Sequence, residues 1–307
     1  MNQEFIKELA DIVGESNVYS DEVMARHITF RVGGKAKYLV DITGEEELVK
    51  VISLMKKWSD IPYYIIGNGS NILFTDEGYD GLIIKISNKM ADVDIHDLRI
   101  VAKAGAMLSR VAKLAYEEGL SGMERLSGIP GTIGGAVTMN AGAYGSEIKD
   151  IIVCAKVLDR ETGKVFILEK DELDLGYRHS IIMEKDYIVI EVILELDHGK
   201  REDIKQEMDK CTAMRKEKQP IEYPSAGSTF KRPEGYFAGK LVQDAGLAGY
   251  TVGGACVSEK HCGFIINKGD ATAQDVLDVI EHTRKEVLAQ FGVELEPEVR
   301  IVTKITK

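Results

Sequence analysis

The sequence predicts an α+β protein built from more than one domain. The middle of the chain is rich in strand patterns, and the C-terminal third has its own alternation of helix and strand patterns. Between them lies a strongly charged segment, 200–219, which has the character of a helix and is stopped by Pro220. A chain of 307 residues exceeds one ordinary core, so two or three domains are expected.

Hydrophobic periodicity assigns the elements of the N-terminal two thirds. A helix is predicted within 1–15, and we interpret it as an amphipathic cap on the fold, because one face of it carries Phe5, Ile6, Leu9, Ile12 and Val13. Helical spacing and runs of β-branched and aromatic residues predict, in order, a strand at 36–42, a helix at 44–58, strands at 62–67, 81–86 and 98–105, a helix at 108–119, and strands at 151–159, 164–170 and 187–196.

The C-terminal third is predicted to be a unit of its own. Its last helix opens with the capping pattern Thr272-x-x-Asp275 and ends at Gly292. The predicted elements are helices at 235–246 and 272–292 and strands at 249–258, 263–269 and 298–305.

Composition and charge exclude several classes of protein. The net charge of −11 argues against nucleic acid as a partner, because such sites need clustered Lys and Arg. No segment has the roughly 20 apolar residues of a membrane span, and the N-terminus lacks the basic region of a signal peptide. We therefore expect a cytoplasmic protein.

The four cysteines predict buried, reduced thiols rather than disulfides or a metal site. None forms a C-x-x-C pair, and Cys256 and Cys262 with His261 between them fit no zinc spacing. No metal is expected.

A first glycine-containing segment, 63–74, places small residues directly after a predicted strand. Successive amides of Gly67, Gly69, Ser70 and Asn71 suit a phosphate. The Rossmann fingerprint fails, because the third glycine position holds Ile72 and a turn and strand follow instead of a helix. The chain has no G-K-[ST] either. Alone, the segment is equally typical of a tight hairpin turn.

A second segment, "SGIPGTIGGAVTMNAGAYG" (127–145), contains six glycines, and no charged side chain occurs from Leu126 to Ser146. Ordering so much glycine costs entropy, and close approach of backbone to a flat ligand is one reason to do so. Two such segments would enclose a dinucleotide, with backbone amides and the side chains of Ser127, Thr132, Thr138 and Asn140 meeting ring heteroatoms. A tightly packed structural turn is the alternative.

Three further segments place Arg, Ser and Glu in polar surroundings: "GYRHS" (176–180), "SAGSTFKRP" (225–233) and "ELEPEVRIV" (294–302). Such residues are usually surface or capping residues, and their spacing does not show that they meet.

Taken together, the motifs resemble the UDP-N-acetylenolpyruvoylglucosamine reductase family over nearly the whole chain. They are, in order, "HITFRVGGKAKYLV", "IIGNGSNILF", "LSGIPGTIGGAVTMNAGAYG", "GYRHS", "SAGSTFKRP", "AGYTVGGACVSEKHCGFIIN" and "LEPEVRI". The resemblance implies an FAD-binding region of the vanillyl-alcohol-oxidase type, with α+β lobes at 1–80 and 81–205, and a C-terminal α+β substrate domain at 206–307.

The resemblance also implies the reaction. Non-covalent FAD takes a hydride from NADPH and passes it to the β-carbon of the enolpyruvyl ether of UDP-N-acetylglucosamine, while the α-carbon receives a proton. The product is UDP-N-acetylmuramate, a peptidoglycan precursor. Partners are small molecules, with no nucleic acid, membrane or obligate protein partner. The alternatives are another FAD-dependent oxidase or dehydrogenase of the same fold, and a non-enzymatic nucleotide-binding protein.

Site residues follow from the same match. Arg178 and Glu298 would stabilise the charge on the substrate carboxylate, with Glu298 protonated or sharing a proton, and Ser228 would protonate the α-carbon. Tyr177, Lys231 and His261 would contact substrate. FAD would be held by Gly67, Asn68, Gly69, Ser70, Asn71, Gly128, Ile129, Pro130, Gly131, Gly134, Gly135, Ala136, Asn140 and Ala141.

The chain departs from the family pattern in two places. Arg232 stands where some members carry Asn, so the contacts to the diphosphate there do not carry over. The short interval between Arg178 and Ser228 resembles the subtype that lacks an insertion folding a tyrosine over the substrate.

Overall fold

The computed structural model describes residues 2–306 and confirms an α+β mixture of helices and strands. The α-helices are α1 Gln3–Val13, α2 Glu45–Lys57, α3 Leu108–Glu117, α4 Ile133–Thr138, α5 Ile148–Ile151, α6 Ile181–Glu184, α7 Arg201–Lys218, α8 Ala238–Asp244 and α9 Ala273–Phe291. The strands are β1 Val18–Val23, β2 Lys35–Asp41, β3 Tyr63–Ile66, β4 Ile72–Phe74, β5 Tyr79–Lys85, β6 Val93–His96, β7 Arg99–Lys103, β8 Leu120–Ser121, β9 Gly142–Ala143, β10 Ser146–Glu147, β11 Ile152–Asp159, β12 Val165–Glu169, β13 Tyr187–Glu195, β14 Asp197–His198, β15 Thr251–Val252, β16 Ala255–Val257, β17 Ile265–Asn267 and β18 Arg300–Val302.

The chain forms two compact units, each assembled from several segments. Unit 1 comprises 2–19, 39–68 and 83–214, and unit 2 comprises 20–38, 69–82 and 215–306. The sequence predicts domains at 1–80, 81–205 and 206–307, each of them one continuous stretch of chain. These limits stay a prediction.

Unit 1 contains a five-stranded sheet in the order β12-β11-β13-β7-β6, with every neighbouring pair antiparallel. In β7, Ile100 and Ala102 are fully buried while their neighbours are partly exposed, the alternation of a sheet with one covered face. Helix α4 packs against β13 and β7, so the second glycine-rich segment lies on this sheet.

Another sheet has the order β1-β2-β5-β3. Strands β2 and β5 are almost entirely buried, as expected for central strands. Within unit 1, helices α1 and α2 pack together, and the ring of Phe5 meets the ring of Trp58 edge to face with centroids 5.6 Å apart. The predicted amphipathic N-terminal helix is confirmed by the burial of Phe5, Leu9 and Val13.

Unit 2 contains the antiparallel sheet β15-β16-β17, and α9 packs on it. Strand β18 pairs in parallel with β4, and Arg300 lies opposite Ile72. The predicted capping box of α9 is confirmed. Thr272 Oγ1 accepts from the N–H of Asp275 at 3.0 Å, and Asp275 Oδ2 accepts from the N–H of Thr272 at 2.9 Å.

Two predictions about the elements are wrong. The strand expected at 249–258 is a hairpin of β15 and β16, because Gly253 takes a positive φ of 51° and turns the chain. The alternative of a tight hairpin after residue 66 is also wrong, since β3 and β4 belong to different sheets.

Two other predictions concern the cysteines and the membrane. The four cysteines are buried and free, as expected. Across residues 2–306, no helix is long and apolar enough to cross a membrane.

The cap of α9 makes stability depend on pH. Two backbone N–H groups, of Thr272 and of Gly254, hold the pKa of Asp275 below its ordinary value. Because the folded pKa is the lower one, the stabilisation is fully present above the unfolded pKa of about 3.9 and disappears as the pH falls through the folded pKa. We expect Asp275→Ala to lower the free energy of unfolding by about 1–2 kcal/mol at pH 7, the loss of two hydrogen bonds to a charged group at a partly exposed site.

Urea unfolding at pH 7, 5 and 3 measures this effect. Asp278→Ala is the matched control, since Asp278 lies one turn further along α9 and its carboxylate accepts from the side chain of Gln274 at 2.7 Å. A difference between Asp275→Ala and the parent chain that is as large at pH 3 as at pH 7 would contradict the assignment.

Candidate active site

The second glycine-rich segment is not a continuous loop, because it contains α4. Thr132 caps this helix by accepting from the N–H of Gly135, and Thr138 Oγ1 donates to the carbonyl of Gly134 at 2.8 Å. Ser127 Oγ likewise donates to the carbonyl of Glu124 at 2.7 Å. These three hydroxyl groups therefore form hydrogen bonds with backbone groups of the protein itself.

Two adjacent glycines of α4 are present for different reasons. A Cβ at Gly134 would lie 2.9 Å from the Cβ of Ala104, so glycine is required there for close packing of the helix on the sheet. Gly135 is exposed, and a Cβ there would meet only Thr132 Oγ1 at 3.5 Å, which is an ordinary contact. Packing within the chain does not require glycine at 135, where alanine would favour the helix.

The two glycine-containing segments meet within unit 1. Asn68 Nδ2 donates to the carbonyl of Pro130 at 2.7 Å, and a Cβ at Gly67 would lie 2.5 Å from Thr132 Oγ1. In the paired segments Gly128, Pro130 and Gly135 are exposed. None of them is charged and the two glycines have no Cβ, so this surface fits the flat, neutral ring system of a flavin.

The last part of the first segment belongs to unit 2 and contacts the segment that carries Glu298. Asn71 Nδ2 donates to the carbonyl of Glu298 at 3.0 Å, and the N–H of Arg300 donates to the carbonyl of Asn71 at 3.0 Å. Gly69 has a φ of 63°, and a Cβ there would lie 2.4 Å from the carbonyl oxygen of His27.

Ser228 and Glu298 lie on two extended segments that pair with each other. The N–H of Glu298 donates to the carbonyl of Thr229 at 2.7 Å, and Phe230 forms an antiparallel bridge with Pro297. Thr229 is buried, and its hydroxyl accepts from the N–H of Ile265 at 3.1 Å. The neighbours of both predicted residues are thus fixed, while Ser228 and Glu298 themselves are only half-buried.

The predicted substrate contacts Lys231 and His261 also lie in unit 2. Lys231 Nζ is 2.5 Å from a carboxylate oxygen of Glu296. Burial lowers the pKa of His261. Its Nδ1 accepts from the N–H of Gly263 at 3.1 Å, which places the proton of the neutral ring on Nε2.

Arg178 lies in unit 1, on a tight turn of residues 176–180 that we call the arginine loop. It has a φ of 54°, and its Cζ lies 5.1 Å from the ring centroid of Tyr177, which is 50% exposed. The N–H groups of Gly176 and His179 each donate to the carbonyl of the other. Arg178 therefore lies at the tip of the loop with a left-handed backbone conformation.

Two residues attach the arginine loop to the end of α4. Asn140 Nδ2 donates to the carbonyl of Gly176 at 2.9 Å, and Ser180 Oγ donates to the carbonyl of Thr138 at 2.6 Å. The sequence motif "GYRHS" contains Ser180, but no feature of it indicates this contact. His179 Nε2 lies 3.0 Å from a carboxylate oxygen of Asp174 and 3.6 Å from one of Glu184. Acidic clusters at the surface, like this one, are common without a metal.

The comparisons with known proteins agree along the chain. The family model of the FAD binding domain matches residues 36–169. The family model of the UDP-N-acetylenolpyruvoylglucosamine reductase C-terminal domain matches residues 219–302. The reductase of that name from Clostridium perfringens is 52% identical, with 98% of this chain and 99% of the relative covered. The one from Caldanaerobacter subterraneus is 48% identical with the same coverage.

A solved structure points the same way. The crystal structure of UDP-N-acetylenolpyruvylglucosamine reductase from Thermus caldophilus has a TM-score of 0.78 and 34% identity, covering 92% of this chain and 97% of that one. Identity of about half over the full length leaves no other assignment, and the chain belongs to the UDP-N-acetylenolpyruvoylglucosamine reductase family.

Proposed function

We propose that Arg178, Ser228 and Glu298 are the catalytic residues of an FAD-dependent reductase. As a member of its family, the chain reduces the enolpyruvyl ether of UDP-N-acetylglucosamine to UDP-N-acetylmuramate for peptidoglycan synthesis, with NADPH as reductant. When bound, FAD supplies the hydride that the β-carbon of the enol ether receives. The observation that most supports the catalytic assignment is the backbone pairing that holds Ser228 and Glu298 on adjacent segments.

Arg178 and Glu298 are proposed to act on the substrate carboxylate. When a hydride adds to the β-carbon, the electrons of the double bond move towards the carboxylate, which gains negative charge as an aci-carboxylate. Donors fixed in advance stabilise that charge more in the transition state than in the ground state. A guanidinium donates directly, whereas Glu298 must carry or share a proton to donate rather than repel.

Ser228 is proposed to deliver the proton to the α-carbon. A serine hydroxyl is a weak acid in water, so it serves only because the intermediate is a strong carbon base and the geometry is fixed. The pairing of Thr229 with Glu298 supplies such fixation on one side of the hydroxyl. The serine oxygen regains its proton from solvent after the transfer.

The substrate contacts proposed for Tyr177, Lys231 and His261 fit a sugar nucleotide. A neutral His261 has an Nε2–H to donate, and Lys231 offers a cation to a phosphate once that phosphate displaces Glu296. The Cζ atom of Arg232 lies 4.7 Å from the ring centroid of Phe237, and Phe237 is 64% exposed. These groups all belong to unit 2 except Tyr177.

We also propose the FAD contacts, the domain limits and the cellular location. The FAD contacts are those expected from the two glycine-containing segments, and the domain limits are 1–80, 81–205 and 206–307. The chain is proposed to act in the cytoplasm without a nucleic acid, membrane or obligate protein partner. An FAD-dependent oxidase or dehydrogenase acting on another substrate is the competing function.

A half-reaction experiment tests the function and the role of Ser228 together. The purified holoprotein should lose its visible flavin absorption anaerobically on adding NADPH and recover it on adding the enolpyruvyl sugar nucleotide. Ser228→Ala should bleach at the parent rate but recover roughly 10²–10⁴-fold more slowly, because the general acid is missing.

Ser225→Ala is the control, since Ser225 precedes Ser228 on the same segment and its backbone carbonyl, which the substitution keeps, accepts from Thr29 Oγ1. Bleaching without recovery in the parent protein would reject the proposed substrate. Recovery of Ser228→Ala at nearly the parent rate would reject the proton-donor role.

The adjacent glycines of α4 give a second test, of the proposed FAD contact. Gly135→Ala should raise the stability of the FAD-free protein by about 0.5–1 kcal/mol through helix propensity. It should also weaken FAD binding about tenfold, equivalent to about 1.4 kcal/mol, by holding the ring away from the backbone.

Gly134→Ala is the matched variant, which should destabilise the FAD-free protein by about 1–3 kcal/mol through overpacking against Ala104. Thermal unfolding of the FAD-free protein and FAD titration separate the two effects. Unchanged FAD affinity in Gly135→Ala would remove Gly135 from the proposed cofactor site.

A further inference from the structure

The arginine loop holds Arg178 in a conformation that its own sequence does not favour. A φ of 54° is costly for a residue with a Cβ, and it persists only where surrounding contacts impose it. Arg178 is also flanked by a pair of backbone hydrogen bonds between Gly176 and His179, which close the turn. Closing a turn fixes its shape but does not fix where the whole loop lies.

Two side-chain contacts do fix where the loop lies, one on each side of the arginine. Two residues before Arg178, the carbonyl of Gly176 accepts from Asn140 Nδ2 at 2.9 Å. Two residues after it, Ser180 Oγ donates to the carbonyl of Thr138 at 2.6 Å. Both contacts lead to the end of α4, so the loop is attached at two points to one short stretch of chain.

The donors are built into the core rather than placed on the surface. Asn140 and Ser180 are both 0% exposed. The Asn140 amide also donates to Glu147 at 3.2 Å and accepts from the N–H of Lys149 at 3.0 Å. Its two N–H bonds are therefore both committed to the protein, which leaves only one acceptor position on Oδ1 for anything else.

The stretch that holds the loop is the end of the second glycine-rich segment, the one proposed to contact FAD. Helix α4 is itself fixed on the sheet by the close approach of Gly134 to Ala104. A continuous path of short contacts thus runs from the sheet through α4 to both sides of Arg178. The turn is closed without this path, so the path adds a constraint on where the arginine lies.

We propose that Asn140 and Ser180 are positioning residues that fix the guanidinium of Arg178 relative to the proposed flavin-binding segment. The inference rests on the proposed role of Arg178 in stabilising the substrate carboxylate. The guanidinium must meet charge that develops only after hydride transfer, and a displacement of about 1 Å can cost about 10²-fold in rate. Loosening the loop should consequently slow the half-reaction with substrate and leave the half-reaction with NADPH unchanged.

Ser180→Ala is the first variant, because it deletes one hydroxyl from a buried site. Asn140→Gly is the second, since glycine accepts the φ of 42° at this position without strain while losing the amide. Thr283→Val is the matched control. Thr283 is also 0% exposed and its hydroxyl also donates to a backbone carbonyl, of Val279 at 2.7 Å, but within α9 of unit 2.

The measurement is a double-mutant cycle on the holoprotein by anaerobic stopped flow. We expect Ser180→Ala and Asn140→Gly to recover flavin absorption about 10–100-fold more slowly with substrate. Ser180→Ala, which lies outside the proposed FAD contacts, should bleach with NADPH at the parent rate. In an Arg178→Ala background, adding Ser180→Ala should produce no further slowing, because a positioning residue acts only through the group it positions.

The possible failures separate the inference from the function it rests on. If Arg178→Ala alone recovers at the parent rate, the proposed role of Arg178 is wrong. If Arg178→Ala is slow but Ser180→Ala and Asn140→Gly recover at the parent rate, or slow the Arg178→Ala protein further, the positioning role is wrong. Equal slowing of both half-reactions in Ser180→Ala, as expected of general damage, would also overturn it.

A readout that does not depend on turnover completes the test. In FAD-free protein, Ser180→Ala should raise the hydrogen-exchange rate of the amides of 176–180 and leave those of β13 at the parent rate. Thr283→Val should leave the exchange of 176–180 unchanged. Unchanged exchange of this loop in both Ser180→Ala and Asn140→Gly would show that neither contact holds it.

Discussion

The hydrogen bond from the N–H of Glu298 to the carbonyl of Thr229, 2.7 Å long, is the constraint on which the proposed chemistry depends. It fixes the register of two paired segments of unit 2. The carboxyl group of Glu298 and the hydroxyl group of Ser228, which are far apart in sequence, therefore lie on neighbouring extended segments. Buried Thr229 strengthens that register, because its hydroxyl is bonded to Ile265 of the adjacent sheet. A serine can act as a proton donor only if its position is set in this way.

Two asparagines bond the glycine-containing segments to the segments that carry proposed catalytic residues. Asn71, at the end of the first segment, donates to the carbonyl of Glu298 itself. Asn140, near the end of the second, donates to the carbonyl of Gly176 in the arginine loop. In each unit, the chain proposed to hold the cofactor is thus bonded directly to the chain that carries a proposed catalytic residue. The glycines are proposed to form the ligand-binding surface, and each asparagine bonds that surface to a segment that carries a proposed catalytic residue.

Sequence patterns predicted the regular elements well where local periodicity governs them. Helix α9, with its capping box and terminal glycine, and strand β11 lie within a residue or two of the expected bounds. Helix α4 was not predicted, because glycines at 134 and 135 lower helix propensity and packing on β13 and β7 supplies the missing stability. The hairpin at 251–257 was missed because the turn depends on the φ of Gly253, which a strand pattern does not reveal.

The candidate site was predictable as a set of motifs but not as an arrangement. The resemblance named Ser228, Glu298 and Arg178, yet no spacing indicates that 228–231 pairs with 296–298. The anchoring of Gly176 by Asn140 was equally hidden, since it depends on a long-range contact between two buried polar groups. The contact of Asn140 with FAD stays a prediction, and its side chain forms hydrogen bonds with Gly176, Glu147 and Lys149.

The central claim is that one register of unit 2 places Ser228 and Glu298 at the same substrate. A crystal structure of the holoprotein with the enolpyruvyl sugar nucleotide tests it most directly. The account predicts Ser228 Oγ within about 3.5 Å of the α-carbon, and a Glu298 carboxyl oxygen within hydrogen-bonding distance, about 2.5–3.0 Å, of the substrate carboxylate. A bound substrate whose α-carbon lies beyond reach of Ser228, with the pairing of Glu298 and Thr229 intact, would contradict it.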